Sequence, residues 1–408
     1  MTRNSETPWI VPGKWHTSLH NWTAEVRKDW KLPKKVIFYD VTLRDGEQAA
    51  GVVFRPEDKL KIAHSLAEAG VQRIEGGMVA VSQEDADAIA KMAKEIKSAE
   101  ISTFCRARKD DVELALKCNI GRVCIEVVAR DEQINSIWGS RAKAAEALVN
   151  IIKFAKSNGL KVTMFLMEFS RADIPLLESL IIPAVKEANA DSVAAVDTRG
   201  CALPQTMAFL VKKVKEWVNV PVEIHCHNQW GVATAGTLAA VEEGAEVVHS
   251  CVNGLNGNAC LDECAMGIEG LLGIQTGIKL DKMFGLSKLV KELSGADWYK
   301  PFVGPTISQV EAGIPVRTMW DHRDEPGMGR IEFLNYGVVG NTPVDLVLGK
   351  KSGRYSIMLK AYELKLPVPP EDKANKMLER VKELSSEKKG LVSAEEFRGI
   401  YKEIMAKG

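Results

Sequence analysis

Between residues 35 and 275 the chain alternates short runs rich in β-branched residues with stretches of helical periodicity, eight times over. The runs occupy 35–41, 71–76, 101–105, 122–129, 160–168, 191–197, 221–227 and 246–252. The segments between them carry helix signals. Residues 55–68 open with Pro56 in the first turn, and 142–156 keep an apolar stripe. Glycines 70, 121, 159 and 244 stand where a helix should end before the next strand. Eight strand–helix units in ~240 residues are the content of a closed (β/α)8 TIM barrel, which places the chain in the α/β class. An open doubly wound sheet is the competing arrangement. It would carry a glycine-rich phosphate turn after its first strand, whereas here that turn is charged, Arg44-Asp45-Gly46-Glu47.

The seventh run ends on His225-Cys226-His227. Residues i and i+2 of a strand face the same way, so both imidazoles look to one side, and two neutral imidazoles are half of a divalent-metal site. Asp45 follows the first run. In a closed barrel the eighth strand lies between the first and the seventh, so its following loop, residues 253–258, stands beside both. Asp45, His225, His227 and an oxygen of Asn258 then meet at the C-terminal face, where barrel active sites lie. Oxygen and nitrogen ligands without a thiolate suit Mg, Mn or Zn. Cys226 faces the other way and is read as packing.

The rest of the composition narrows the function classes. The 54 basic and 54 acidic residues cancel, which leaves no footprint for nucleic acid or an anionic membrane. No apolar stretch approaches the ~18 to 20 residues of a membrane span. The eight cysteines are scattered without a CxxC pair and the first residues lack a signal peptide's pattern, so a cytoplasmic protein with reduced thiols is expected. Residues 1–34 hold four of the nine tryptophans, Trp9, Trp15, Trp22 and Trp30, an aromatic load that favours packing on the chain's own barrel or on a partner subunit over a ligand-binding role. The barrel is expected over 35–285 and a smaller Gly- and Pro-richer unit over 286–360. Residues 361–408 form a terminal helical segment, two charged amphipathic helices broken near Gly390.

Several of these residues also carry a resemblance. Asp40-Val41-Thr42-Leu43-Arg44-Asp45-Gly46-Glu47-Gln48 resembles the signature that opens the DRE-TIM metallolyase superfamily. His225-Cys226-His227-Asn228 with Gly231 and residues 239–245 is similar to its second signature, and Asp197-Thr198, Gly200 and Pro204 to its sixth-strand motif. Gly349-Lys350-Lys351-Ser352-Gly353-Arg354 looks like the GKxSGR motif in the linking subdomain of the 2-isopropylmalate, homocitrate and citramalate synthase branch. The resemblance implies a metal-dependent, Claisen-type condensation of a short acyl-CoA, acetyl-CoA first, with a 2-oxo acid in amino-acid biosynthesis. It also implies a homodimer or higher oligomer and no leucine-type regulatory domain.

By the same resemblance the divalent metal sits on Asp45, His225, His227 and Asn258, and Arg44 stabilises the developing alkoxide. Glu168 belongs to the base machinery, Thr198 holds the substrate carboxylate, and Gln48 touches substrate. Arg106, Arg108 and Arg130 are candidates for a distal carboxylate, with Arg106 the better match. Two departures stand out. The branch's NGxGERxGN loop is here Asn253-Gly254-Leu255-Asn256-Gly257-Asn258, two residues shorter and without the Glu-Arg pair. Its HxSGIH motif is here Val310-Glu311-Ala312-Gly313-Ile314-Pro315, without either histidine, which leaves Glu311 or His322 as substitutes. A divergent member with an unusual substrate is expected. The competing readings are a C–C lyase or aldolase of the 3-hydroxy-3-methylglutaryl-CoA lyase type and a non-catalytic barrel.

Overall fold

Eight parallel strands close into a barrel in sequence order: β1 (Ile37–Asp40), β2 (Arg73–Met78), β3 (Glu100–Arg106), β4 (Arg122–Val128), β5 (Lys161–Met167), β6 (Ser192–Asp197), β7 (Val222–Cys226) and β8 (Val247–Ser250), with β8 pairing back onto β1. The computed structural model describes residues 7–11, 15–296, 309–324 and 345–406. Each expected run forms its strand, one or two residues displaced at most ends. His227 lies just past β7, where it forms an isolated bridge with Asn258. The α/β barrel expected from the eightfold alternation is therefore the fold.

The helix stops follow the left-handed C-cap rule with one substitution. Gly70, Gly159 and Gly244 have φ of +86°, +82° and +99°. Gly121 does not take that role. After the helix Lys109–Lys117 the left-handed position is Asn119, at φ 53°, a residue type that tolerates it.

The main apolar core lies between the strands and the surrounding helices, built on residues such as Phe38, Ile62, Leu66, Ile74, Ile152, Leu180 and Val248. The barrel's interior is different. Only a small cluster, Phe104, Cys124, Phe165, Ala194 and Val196, is apolar there. Beneath it Glu223 accepts from Arg73 Nη1 (2.8 Å), Ser192 Oγ (2.6 Å) and Thr163 Oγ1 (3.1 Å), while Arg73 and Arg122 share Glu100 at the bottom of the barrel. Buried charges are tolerable only when paired and hydrogen-bonded, and here they are. Cys226 turns outward as expected and packs beside Gly236 of the helix Ala233–Glu242.

The tryptophan-rich arm packs on the barrel. Arg27 stacks over Trp22 and Trp30, at 3.8 and 4.7 Å to the ring centroids, and its Nη2 donates to the carbonyls of Leu271 and Leu272. Trp30 itself lies against the main core.

Beyond the barrel, the helices Arg354–Glu363, Glu371–Lys388 and Ala394–Ala406 enclose a second core around Ile357, Met377, Val381 and Phe397. The expected pair of terminal helices is thus present, with Lys389 at φ 52° ending the first. Much of the expected 286–360 unit, namely 297–308 and 325–344, lies outside the described residues. What is described there is anchored by charge. Lys351 Nζ reaches Glu47 Oε2 at 2.7 Å, Lys350 Nζ donates to the Phe54 carbonyl at 3.1 Å, and Lys59 bridges Glu47 (2.8 Å) and Asp85. All of these side chains are buried. Glu311, considered above as a replacement for a missing histidine, is part of the same joint. Its carboxylate accepts the backbone N–H of Lys351 (2.8 Å) and of Gly51 (3.3 Å), tying barrel to subdomain, and burial pushes it up to about 7. Among the described residues no helix is long and apolar enough to cross a membrane.

Candidate active site

Asp45, His225 and His227 converge at the C-terminal mouth of the barrel, with one ligand atom from each lying within 4.8 Å of the others. His225 Nε2 stands 3.2 Å from His227 Nε2 and 3.3 Å from Asp45 Oδ2, and His227 Nε2 is 3.8 Å from the same oxygen. All three residues are buried. Burial pushes both imidazoles down to about 4, so they are neutral lone-pair donors at physiological pH. Burial alone would raise the Asp45 carboxyl, but the Arg44 guanidinium and the two imidazoles overcome it and hold it well below the usual carboxylate range. Three inward-facing electron-pair donors with no proton to share fit a divalent cation of the Mg, Mn or Zn type.

The backbone is shaped around this cluster. Gly200, at φ +53°, passes so close to His227 that a Cβ there would collide with the His227 carbonyl. Left-handed residues fill the loop after β8: Asn253 (φ 60°), Gly254 (61°), Asn256 (57°) and Gly257 (72°), which is why its sequence is all but restricted to Asn and Gly. The Asn258 Nδ2 donates to the Leu255 carbonyl at 3.0 Å, and its backbone forms an isolated bridge with His227. The neighbouring Asn256 donates to Asp45 Oδ1 at 2.7 Å, a contact the sequence reading passed over.

A second row of groups holds the ligands in place. His249 Nε2 lies 2.7 Å from Glu223 Oε2, and its Nδ1 lies 3.2 Å from His225 Nδ1. A carboxylate can only accept, and Arg73 and His249 keep Glu223 ionised against the cost of burial. His249 therefore carries its hydrogen on Nε2 and accepts at Nδ1, His225 donates from Nδ1, and the His225 Nε2 lone pair is turned to the cluster. Such outer partners fix ligand tautomer and ring orientation, and losing one costs about 10–100-fold in metal affinity. His249→Phe is expected to weaken Mn(II) or Zn(II) binding by about that factor in a calorimetric titration; affinity equal to the parent's would remove His249 from this role.

Arg44 sits at the centre of the mouth. Its Nε donates to Glu75 Oε2 (2.5 Å) and its Nη1 to Asp45 Oδ2 (2.8 Å), and its guanidinium lies 4.2 Å above the Phe104 ring centroid. Its Nη2 is buried without a hydrogen-bond partner among the described residues. The remaining expected residues stand around the rim. Glu168, at φ 62° in the left-handed region after β5, has its carboxylate held by Arg171 (2.9 Å) and Arg199 (3.1 Å). Its backbone N–H donates to Thr198 Oγ1 at 2.7 Å, which leaves the Thr198 hydroxyl hydrogen free to donate. Gln48 is half-buried, with its backbone N–H on the Asp45 carbonyl. Arg106 is gripped by both oxygens of Asp111 (2.9 and 2.7 Å), while Arg108 pairs with Asp110 and Arg130 with Glu132.

Sequence reasoning missed Glu75, Glu126, Glu223, His249 and Asn256. Glu126 and His249 share a signal that was available, a single charged-type side chain inside an apolar strand run, as in Val123-Cys124-Ile125-Glu126-Val127-Val128, whereas Glu75 and Glu223 share their runs with Arg73 and His225.

Residues 35–290 match the HMGL-like family model. The chain is 36% identical over 369 residues to "Homocitrate synthase AksA" of Methanopyrus kandleri, covering 89% of this chain and 91% of that protein. It is 36% identical over 354 residues to "(R)-citramalate synthase CimA" of Methanocaldococcus jannaschii (85% and 70%), and 34% identical over 360 residues to a "Probable 2-isopropylmalate synthase" of Ignicoccus hospitalis (86% and 88%). Among solved structures, hydroxymethylglutaryl-CoA lyase from Pseudomonas aeruginosa superposes with a TM-score of 0.58 at 21% identity, covering 65% of this chain and 95% of that one. That likeness is one of fold.

Proposed function

The chain belongs to the HMGL-like family, and from that premise we propose that it condenses a short acyl-CoA, acetyl-CoA first, with a 2-oxo acid. The products are a 2-hydroxy acid carrying one more carboxylate and free CoA. One observation carries the reading. Arg44 has two of its donors anchored and the third, Nη2, buried and unused beside Asp45, so a preorganised cationic donor waits where a keto oxygen would gain negative charge. Asp45, His225, His227 and the Asn258 Oδ1 would hold a divalent cation, whose Lewis acidity polarises the 2-oxo acid.

The chain's own groups complete the chemistry. The Thr198 hydroxyl donates to the substrate carboxylate, with Gln48 lining the same end. Glu168, fixed by its two arginines, belongs to the group that takes the proton from the acyl methyl. The resulting carbanion forms the new C–C bond to the keto carbon as the C=O π bond opens, and the keto oxygen takes up a proton and stays on that carbon as the product's hydroxyl. Water then cleaves the thioester, giving carboxylate and thiol. Arg106, Arg108 and Arg130 stand at the β3 and β4 rim as partners for anionic substrate groups, each by exchanging a carboxylate it already holds. The doubly bound Arg106 is the costliest to exchange. The chain acts as a homo-oligomer in the cytoplasm.

The test is release of free thiol from acetyl-CoA by the Mn(II)- or Mg(II)-loaded protein across a panel of 2-oxo acids. Thiol appearing with one acid, in equimolar amount with the hydroxy acid product, is the expected result. No thiol with any acid, together with acyl-CoA or 2-oxo acid released from hydroxy acids, would assign the barrel to cleavage instead.

A further inference from the structure

We propose that Glu126 is a specificity residue that selects a 2-oxo acid with a hydroxyl-bearing, uncharged tail, an inference that rests on the condensation reading above. Glu126 lies on β4 two residues beyond Cys124, a member of the inner cluster, so it shares the inward face one layer nearer the C-terminal mouth. Its register neighbours are Arg106 on β3 and Phe165 on β5. The cation cluster is built from the loop after β1, the end of β7 and the loop after β8. In an eight-stranded ring β4 lies diametrically opposite β8. A 2-oxo acid held by its carboxylate and keto oxygens at the cluster therefore projects its tail across the mouth toward Glu126.

What the tail meets there is an unsatisfied acceptor. Glu126 is only 7% exposed, and its Oε1 is buried with no hydrogen-bond partner among the described residues. The charged groups around it are Arg44, Arg106, Asp111 and Asp45. The Arg106 guanidinium is turned to both oxygens of Asp111, and the Arg44 Nε and Nη1 to Glu75 and Asp45. With the remaining Arg44 donor, Nη2, assigned to the keto oxygen, a tail carboxylate would face the Glu126 carboxyl group. An aliphatic tail leaves Oε1 as it stands, buried and without a partner, the arrangement that buried polar groups penalise most. A hydroxyl donates to Oε1 and removes the defect. Sites built to hydrogen-bond a substrate hydroxyl reject the analogue without it far more strongly than apolar pockets reject an added methylene. An orphaned carboxyl is also a stability cost with no fold-level return, as expected of a group kept for its ligand.

The probes are 4-hydroxy-2-oxobutanoate, 2-oxobutanoate and 2-oxoglutarate, each with acetyl-CoA and the metal-loaded full chain. Binding of each acid without acetyl-CoA is read in parallel by calorimetry. The parent is expected to favour the hydroxylated acid over 2-oxobutanoate by at least about 100-fold in kcat/KM. Glu126→Leu is expected to bring that ratio to about one or below while melting no lower than the parent, since it removes an unpaired buried carboxyl. Glu126→Gln, which keeps an acceptor oxygen, should retain a ratio of about 10. A parent that prefers 2-oxobutanoate or 2-oxoglutarate, or a ratio unchanged in Glu126→Leu, overturns the assignment. If no acid releases thiol, the condensation reading fails, and the calorimetric order of the three acids with parent and Glu126→Leu still decides whether Glu126 reads the tail.

Discussion

Asp45→Ala is expected to abolish stoichiometric divalent-metal binding and to lower thiol release by at least about 1000-fold, the largest functional effect of any single change in this chain. Two losses combine in it. The carboxylate is the one anionic member of the cluster, so two neutral imidazoles remain to hold a dication. Asp45 also anchors Arg44 Nη1 and receives Asn256, so its removal frees the donor fork and the β8 loop together. The fold has little stake in the residue, because Arg44 keeps its Glu75 partner. Metal content after dialysis, circular dichroism and thiol release measured on one preparation separate these contributions. An alanine variant that binds metal as the parent does would displace the cluster as the metal site.

Glu47→Gln is expected to cost about 3–5 kcal/mol of stability, the range for removing one partner of a buried ion pair. Glu47 lies 2.7 Å from Lys351, 2.8 Å from Lys59 and 3.6 Å from Lys350, all buried, and without its charge only Asp85 remains to balance the three cations. Burial drives the Lys351 ammonium toward its neutral form even in the parent. Chemical denaturation of the metal-free protein reads the loss. Arg108→Ala is the matched control. It breaks an ion pair whose side chains are 59% and 57% exposed, and it should change stability by less than about 1 kcal/mol. Equal effects of the two substitutions would show that the lysine cluster is solvated in practice.

The barrel was legible in the sequence because its information is local. Each strand is announced by a short β-branched run and most helix stops by a residue suited to positive φ, and spacing alone then counts to eight. The cluster was legible for the same reason: His225 and His227 are two residues apart, and closure of the barrel brings Asp45 to them. The partners of charged side chains were not legible. Glu223 finds Arg73 from 150 residues away and Gly51 finds Glu311 from 260 away, and no periodicity encodes such pairs. The pattern favoured Asn258, while the left-handed turn in this loop brings the neighbouring Asn256 onto the Asp45 carboxylate. For Glu126 the sequence offers the odd acidic residue in an apolar run, but not which face it takes, which the register decides.

The lysine cluster beneath Gly349–Arg354 also governs how this protein can be recombined. Its acids, Glu47 and Asp85, come from the barrel, and two of its three bases, Lys350 and Lys351, from the far end of the chain. A chimaera taking the barrel from one relative and the terminal helices from another would inherit half a charge balance unless all of these residues travel as a set. Substituted one at a time, each leaves a buried charge stranded; exchanged together for apolar residues, they leave none. The two halves of the chain are therefore bound to each other as hereditary units, and the route between alternative versions of the joint runs through simultaneous change.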